Sequence, residues 1–530
     1  MLDFLKPKAA TADRQPVPSV VPEAKPVPTP GARRKRLFWR PIQAGRSLLN
    51  AARPDRLTQD WPTTPVPADE IISRYQRVVV ARSRHACVNN DYVKHYLRRA
   101  RQNIVGPAGI QLQAQAKDPD GSLDSRANDA IETGWRDWSK RRNCDVTGKQ
   151  SLAEIERAAV SGAVRDGEFM IRIVTGSDAG PWGFALQVLD PHRCPVDHDV
   201  ERLGNGHFVR HGIEFNRFGR PMAFHFQTLD ASEKDYSFGG RSFVRIPADD
   251  IIHGYRSEMV GQKRGLPWTV TALLRAQHLA GFEEAAIVNA RTAASKGGFF
   301  QWREDATAPD YEEERDEPFY MDAEPGSFQE LPYGLEFKSW EPQFPSGDYL
   351  PFTKQQLRGM AAGLGITYHD LANDLEGVNF SSVRSGTLAE REGWKEDQAW
   401  LIEQLMQPLF ERWLPFALLK GLKIPGTNGT LRPDRLDKYS DVIWQGRRWD
   451  WVDPDKDSKA ADRDLKNTLK APSQIMRERG DDPRQVWRQF ADDIQAMRDE
   501  GIPEAIIQAA ISGAAAPATP AAGENSDEGQ

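Results

Sequence analysis

The residue types best suited to chemistry gather in one stretch, Asp190-Pro-His192-Arg-Cys194-Pro-Val-Asp197-His198-Asp199. Its carboxylate, imidazole and thiol donors form a mixed hard and soft set that a transition metal accepts. Pro191 and Pro195 punctuate it, and loop spacing alone fixes no coordination geometry. A strand-terminating turn with polar residues facing water is the favoured reading, and no metal or other cofactor is expected. Glu283-Glu284 are adjacent carboxylates, yet neighbours on a helix point about 100° apart and do not face each other as an acid and base pair. The only Gly-Lys pair, Gly148-Lys149, has Asn143 and Gln150 where a phosphate loop carries glycine and Ser or Thr. Neither HExxH nor GxSxG occurs. The basic run Arg33-Arg34-Lys35-Arg36-Leu37-Phe38-Trp39-Arg40 fits nucleic acid no better than a docking segment or plain solvation. These residues define no enzyme.

The elements that would position them divide the chain by character. Residues 1 to about 65 carry prolines at 16, 18, 22, 26, 28 and 30 and bury too little apolar surface to offset their ordering entropy. The stretch from about 514 to 530 reads the same way. From Asp69 to about Ile104 the pattern is helical and rich in arginine. Ser151-Leu-Ala-Glu154 is a capping box opening a helix that stops near Gly167. Five strand-like runs follow: Phe169 to Val174, Phe184 to Leu189, Phe208 to Phe215, Met222 to Gln227 and Phe243 to Ile246. This half is expected to be α+β.

Helices then dominate. Pro267 to Lys296 places Leu274, His278, Gly281, Ala285, Val288 and Thr292 on one face. About 50 irregular residues follow, with an acidic run at Glu312-Glu313-Glu314, and a second helix spans Thr353 to Leu364. A third, long helix is expected to start at the capping box Thr387-Leu-Ala-Glu390, with Trp394, Leu401, Leu405, Leu409, Trp413 and Phe416 along one stripe and a kink at Pro408. Asp453-Pro454 and Asp482-Pro483 each read as an N-cap with proline at the first helical position. Val486, Phe490, Ile494 and Met497 form the buried stripe expected of the second of these helices.

Composition narrows the function class. Hydrophobic residues make up 39% of the 530 residues, which is ample for a core in several subdomains. The best candidate for a membrane span, Leu405 to Leu419, holds Glu411, Arg412, Pro408 and Pro415, so no membrane partner is expected. Met1-Leu-Asp-Phe-Leu-Lys leads into proline repeats without the apolar core of a secretory signal. The three cysteines, Cys87, Cys144 and Cys194, are unpaired in spacing, which fits a reduced, cytoplasmic origin. With 70 basic and 76 acidic side chains the net charge is −6. A protein that clamps duplex DNA usually shows a basic excess, so any contact with nucleic acid here should be loose or local.

Several stretches, taken in order, resemble the lambda family of phage portal proteins. Arg82-Ser-Arg84 with Asn89-Asn90-Asp91-Tyr92 and Asn103-Ile-Val-Gly106 resembles its N-terminal signature, and Glu283-Glu284-Ala-Ala-Ile-Val-Asn-Ala-Arg291 its stem helix. Glu376-Gly-Val-Asn379-Phe-Ser381-Ser382-Val-Arg384-Ser-Gly386 with Glu390-Arg391-Glu392 and Trp394 is the strongest match. Trp449-Asp-Trp451-Val-Asp453-Pro454 and Glu478-Arg-Gly480 with Asp482-Pro483 complete it. The resemblance runs from about residue 70 to 500.

It implies a portal fold in a dodecameric ring, non-enzymatic, at one capsid vertex of the virion, carrying double-stranded DNA during packaging and ejection. The implied division is an arm (1–65), wing (66–266), stem helix (267–296), clip (297–350), second stem helix (351–370), tunnel loop (371–382), long kinked helix with wing return (383–452), helical crown (453–513) and tail (514–530). Implied channel residues are Asn373, Glu376, Asn379, Ser381, Ser382 and Arg384 in the loop and Glu283, Glu284, Arg291 and Lys296 in the stem. Whether Asn379 to Ser382 contact DNA or merely cap the following helix stays open on sequence. Glu312, Glu313 and Glu314 are clip candidates for partner docking. The implied partners are further copies of the chain, a terminase motor, major capsid and scaffold proteins, and head-tail adaptor proteins. A packaging enzyme and a monomeric DNA-binding or scaffolding protein are the competing readings.

Overall fold

The computed structural model describes residues 56, 60–227, 243–294, 298–302, 335–339, 347, 349–377, 379–449, 454–479 and 483–512. The chain divides into two units, Met1–Pro65 and Val66–Gln530, and all described elements lie in the second. Most of the expected arm, the tail, Lys296 and Glu312 to Glu314 fall outside the described residues, as do the caps at Asp453 and Asp482.

The arginine-rich helical stretch is broken in two. Helices α1 (Arg77–Asn89) and α2 (Asp91–Ile104) meet at Asn90, which leaves the helical conformation and accepts a hydrogen bond from the Val93 amide as an N-cap. Helix α3 (Ser125–Trp138) was not anticipated; Asp124 caps it, and Trp135 and Trp138 face inward. Helix α4 (Leu152–Asp166) opens on the expected capping box of Ser151 and Glu154 and closes at Gly167.

Strand β1 (Gln111–Ala114) pairs with β11 (Val442–Gln445), a ladder joining segments more than 300 residues apart. Strands β2 (Glu168–Thr175) and β3 (Phe184–Leu189) form a hairpin, and β8 (Ile251–Tyr255) joins the other side of β2. A second sheet is the meander β4 (Phe208–Arg210), β5 (Ile213–Phe215), β6 (Pro221–Phe226) and β7 (Val244–Pro247). The expected single run from Phe208 to Phe215 is therefore a hairpin. His211 and Gly212 turn it with φ of 54° and 79°. Residues 297 to 345 are not wholly irregular either: β9 (Gly298–Trp302) and β10 (Leu335–Ser339) pair antiparallel, with Trp302 opposite Leu335.

Long helices complete the unit. Helix α5 (Val270–Ala294) packs on α6 (Tyr349–Leu364), and α7 (Phe380–Leu401) continues through a π-helical turn, Ile402–Met406, into α8 (Gln407–Lys420). The π-turn ends just before Pro408, which has no N–H to give and whose ring crowds the preceding turn. Helix α7 starts at Phe380 rather than Thr387, because Asn379 caps it first and Glu390 serves another segment. Of its expected stripe, Trp394, Leu401, Leu405, Leu409 and Trp413 are buried, while Phe416 is partly exposed against Phe184. Trp413 meets Trp135 edge to face at 5.0 Å and sits 5.9 Å from Trp138, so α8 and α3 share one aromatic core.

The C-terminal helices are α9 (Pro454–Lys466), α10 (Pro472–Arg479), α11 (Pro483–Asp499) and α12 (Glu504–Ser512). The stripe expected to be buried on α11 is not. Phe490 and Met497 are exposed, and Val486 and Ile494 are half-buried, because within the described residues no further layer covers that face. Among the described residues no helix is long and apolar enough to cross a membrane.

Candidate functional site

Helices α5 and α6 run antiparallel with their backbones close. Thr271 lies against Gly363, Arg275 against Gly359, and Phe282 against Phe352 and Tyr349 at 4.9 and 5.5 Å. The Thr271 hydroxyl donates to the Gly363 carbonyl at 2.9 Å. A methyl group on Gly359 would have to displace the end of the exposed Arg275 side chain. The buried face of α5 is Ala272, Ala276, Leu279 and Ala286. The face singled out from sequence is the opposite one. Leu274, His278, Gly281, Ala285 and Val288 are all exposed.

Glu283 and Glu284 part company as their spacing requires. The Glu283 carboxylate is half-buried and accepts from the Tyr92 hydroxyl at 3.2 Å, while Glu284 is exposed. Burial raises the Glu283 carboxyl above its ordinary range, and burial together with that carboxylate pushes the Tyr92 hydroxyl up to about 12. Arg291 is exposed near the end of the helix.

From α6 the chain turns through one short helical turn, Tyr368–Ala372, into the expected tunnel loop. Thr367 caps that turn. The Thr367 amide and hydroxyl both donate to the Glu390 carboxylate of α7, at 3.0 and 2.9 Å, and Trp394 Nε1 donates to its other oxygen at 3.0 Å. Arg99 of α2 donates to Asp370 at 2.6 Å. Asn373 then adopts a left-handed φ of 51°, which among non-glycine residues asparagine tolerates best. Asp374 is the loop's internal post. The Tyr368 hydroxyl donates to it at 2.7 Å, the Glu376 amide at 2.9 Å, and Lys354 stands 3.4 Å away. These donors, the tyrosine first, hold its carboxyl down to about 2.

Beyond this post Leu375, Glu376 and Gly377 are exposed. Glu376 lies 3.9 Å from Lys354, so its charge is partly matched. Asn379 Oδ1 accepts from the Ser382 amide at 2.8 Å and from the Ser381 hydroxyl at 3.1 Å, so the capping alternative holds. Asn379, Ser381 and Ser382 remain exposed as they cap, and Arg384 is half-buried in the first turns of α7. The structure thus gathers Asn373 to Arg384 at one helix-loop-helix corner and leaves Glu283, Glu284 and Arg291 along α5. Sequence reasoning passed over Arg99, Asp370 and Asp374, which hold that corner with Glu390, a residue it had assigned to a cap at Thr387 instead. The spacing Thr367-Tyr-His-Asp370 was the available signal, a cap followed three residues on by an acid.

The stretch that resembled metal ligands is a turn. Asp190 caps the short 3-10 turn Pro191–Arg193 and pairs with Arg84 at 2.6 Å, and Cys194 is buried beneath it. Behind it lies a buried ion pair, Glu168 with Arg264 at 2.6 Å, each about 1% exposed. His253 and Gln76 also bond Glu168. Arg264 donates further to the carbonyls of Cys194, His211 and Pro191. Burial favours the neutral acid, but Arg264 and His253 outweigh it and hold Glu168 at about 2. Breaking such a pair strands a charge at a cost of about 3 to 5 kcal/mol, so this network fixes the two sheets against the start of α5. Separated signature motifs also meet: the Asn103 amide oxygen accepts from Trp449 Nε1 at 2.9 Å and from Arg447 at 3.1 Å.

Residues 54–398 match the family described as phage portal protein, lambda family. The chain belongs to that family, and it is a phage portal protein. It is 34% identical over 459 residues to a probable portal protein of Halomonas phage phiHAP-1, covering 85% of this chain and 87% of that one. Among solved structures it aligns with a chain from the neck of an empty GTA particle computed with C6 symmetry, at a TM-score of 0.41 and 14% identity, covering 77% of this chain and 94% of that one. A chain from the neck of a native GTA particle computed with C12 symmetry gives 0.41 and 13%, over the same shares.

Proposed function

We propose that copies of this chain close head to tail into a dodecameric ring at one capsid vertex of the virion, and that double-stranded DNA passes through the ring during packaging and ejection. The observation that carries the ring is the exposed apolar surface of the α5–α6 pair. Apolar side chains of both helices stay open there: Leu274, Ile287, Leu350 and Phe352 are 45 to 67% exposed around the pair. An apolar surface of this kind is what a neighbouring copy covers, and a heterologous contact that closes gives a ring. Residues 267–296 and 351–370 act as stem, 297–350 as clip, 66–266 with the return after 383 as wing, and 453–513 as crown.

Asn373, Glu376, Asn379, Ser381, Ser382 and Arg384 form the loop that meets DNA. Its contacts are short, polar and mixed in sign, which suits a duplex that must slide without being read. Glu283, Glu284, Arg291 and Lys296 belong to the stem lining in this reading. An overall charge of −6 fits a conduit, because a strongly basic channel would hold the phosphates fast. The chain acts without enzymatic activity of its own: the sequence has no phosphate loop, so a terminase motor supplies the energy from outside. It docks at the clip, whose sequence carries the acidic run Glu312 to Glu314, and head-tail adaptor proteins replace it afterwards. Capsid and scaffold proteins contact the ring during assembly in the host cytoplasm. Negative-stain images of the purified chain test this directly. Rings with a central hole and no ATP turnover are expected; uniform monomers, or ATP hydrolysis by the chain alone, would overturn it.

A further inference from the structure

A second basic feature lies away from the loop corner. Arg98 and Arg101, one helical turn apart near the end of α2, Arg157 of α4 and Arg447 beyond β11 line a single concavity of about 620 Å3. Among the described residues Gln102, Gly106 and Pro107 complete its wall, with no carboxylate and no large apolar side chain. Arg101 and Arg157 also line an adjoining concavity of about 550 Å3, where Arg165 adds a fifth guanidinium. The four acids there are already matched, Glu154 by Arg141, Glu168 by Arg264 and Asp190 by Arg84 at 2.6 Å each, and Asp166 by Arg84 and Arg165 at 2.7 Å.

Part of this arrangement serves the fold. Arg157 donates to the carbonyls of Gly106 and Pro107 at 2.9 and 3.3 Å, and Arg447 donates to the Gln102 carbonyl. Gly106, at φ 74°, lets Arg447 lie across the backbone, where a methyl group would meet its Cδ at 2.9 Å. These bonds satisfy the end of α2 and hold two guanidiniums in place. Arg98 and Arg101 are not needed for that, and among the described residues neither forms an ion pair. A helix C-terminus contributes roughly half a negative charge, against the full positive charges of Arg98, Arg101 and Arg157, so the concavity is positive despite the acidic chain.

We propose that this groove is a second nucleic-acid contact of the portal, gripping duplex phosphates without regard to sequence. It rests on the portal reading only in that duplex DNA is within reach. Arginine forks match phosphate oxygens two at a time, and fixed guanidiniums lose little entropy on doing so. An acidic protein surface would satisfy the charge as well. Protein interfaces, however, take most of their energy from aromatic and aliphatic anchors, and this wall offers guanidiniums, one amide, a glycine and a proline. A lining of that kind positions a backbone and reads no base.

The test uses the full chain, a labelled short duplex of mixed sequence and a salt series. Arg98→Ala with Arg101→Ala is expected to weaken duplex binding at least tenfold and to lower the slope of log affinity against log salt by about two, one for each phosphate contact removed. Arg98→Ala alone, at an exposed position that cannot unfold the chain, should lower it by about one. Unchanged affinity and slope in both variants would overturn the proposal, as would poly-glutamate binding tighter than the duplex with the same dependence on these arginines. Ring formation is scored separately by mass photometry. Absence of rings in the parent chain defeats the conduit and leaves the groove to stand or fall on the duplex titration.

Discussion

Glu156 is a residue whose ionisation works against the fold. It is 1% exposed in α4, accepts the Ile110 amide at 2.9 Å, and sits beneath the Gly109 turn. Burial pushes its carboxyl up to about 8, against the pull of that amide and of Arg157. The sign follows from proton counting. Between pH about 4.5 and 8 the folded chain keeps a proton that the unfolded chain has released, so stability falls as pH rises across that window and levels off above it. Glu156→Gln keeps an oxygen acceptor for Ile110 and removes the titration. Thermal unfolding followed by calorimetry should show the variant close to the parent at pH 4.5 and more stable by a few kcal/mol at pH 8.5. A constant gap across that range would mean that the carboxyl ionises in the fold at its ordinary pH. Glu168, equally buried, behaves in the opposite way because Arg264 lies beside it, which shows how far one partner decides the state of a buried acid.

At the scale of elements, the corner between α6 and α7 depends on caps, and its two roles can be separated. Asn379→Ala removes the acceptor for the Ser382 amide, worth about 1 kcal/mol, and should speed hydrogen exchange of the first-turn amides of α7 about fivefold. Asn379→Asp keeps the acceptor and should leave exchange unchanged, while its added negative charge disfavours phosphate nearby. Exchange that rises equally in both variants would show that Asn379 does not act as a cap. Legibility follows the same local logic. Strand Phe184–Leu189 and the box at Ser151 were readable because the signal and the structure occupy the same few residues. The β1–β11 ladder was not, since four-residue strands whose partners lie more than 300 positions away carry no local sign of pairing. The box at Thr387 misled for a related reason: Glu390 does cap a turn, but that of Thr367, which only the tertiary fold brings near. On α5 periodicity gave a face without its direction, and Ala272 and Ala276 turned inward in place of Leu274 and Val288. At the corner, residues 373 to 384 were singled out by their resemblance to the family, whereas Arg99, Asp370 and Asp374, which hold its geometry, carried no such signal.

At the scale of the whole molecule, symmetry makes a surface residue count once for every subunit. Leu274 is 67% exposed and Ile287 is 53% exposed on α5, so within one subunit either tolerates a polar replacement at little cost. In a closed ring the same positions are covered by the next copy, and a carboxylate placed there is desolvated without a partner in every interface. Leu274→Asp with Ile287→Asp should therefore leave the unfolding temperature of the isolated subunit within a degree or two of the parent. It should also shift mass photometry from rings toward single chains at equal concentration. The contrast between the two readouts carries the argument, because a fold defect lowers both and an interface defect lowers only the second. Rings that persist in the double variant would mean that this surface is not covered by a neighbour, and the head-to-tail contact would then have to be sought on the exposed Trp487, Phe490 and Met497 of α11.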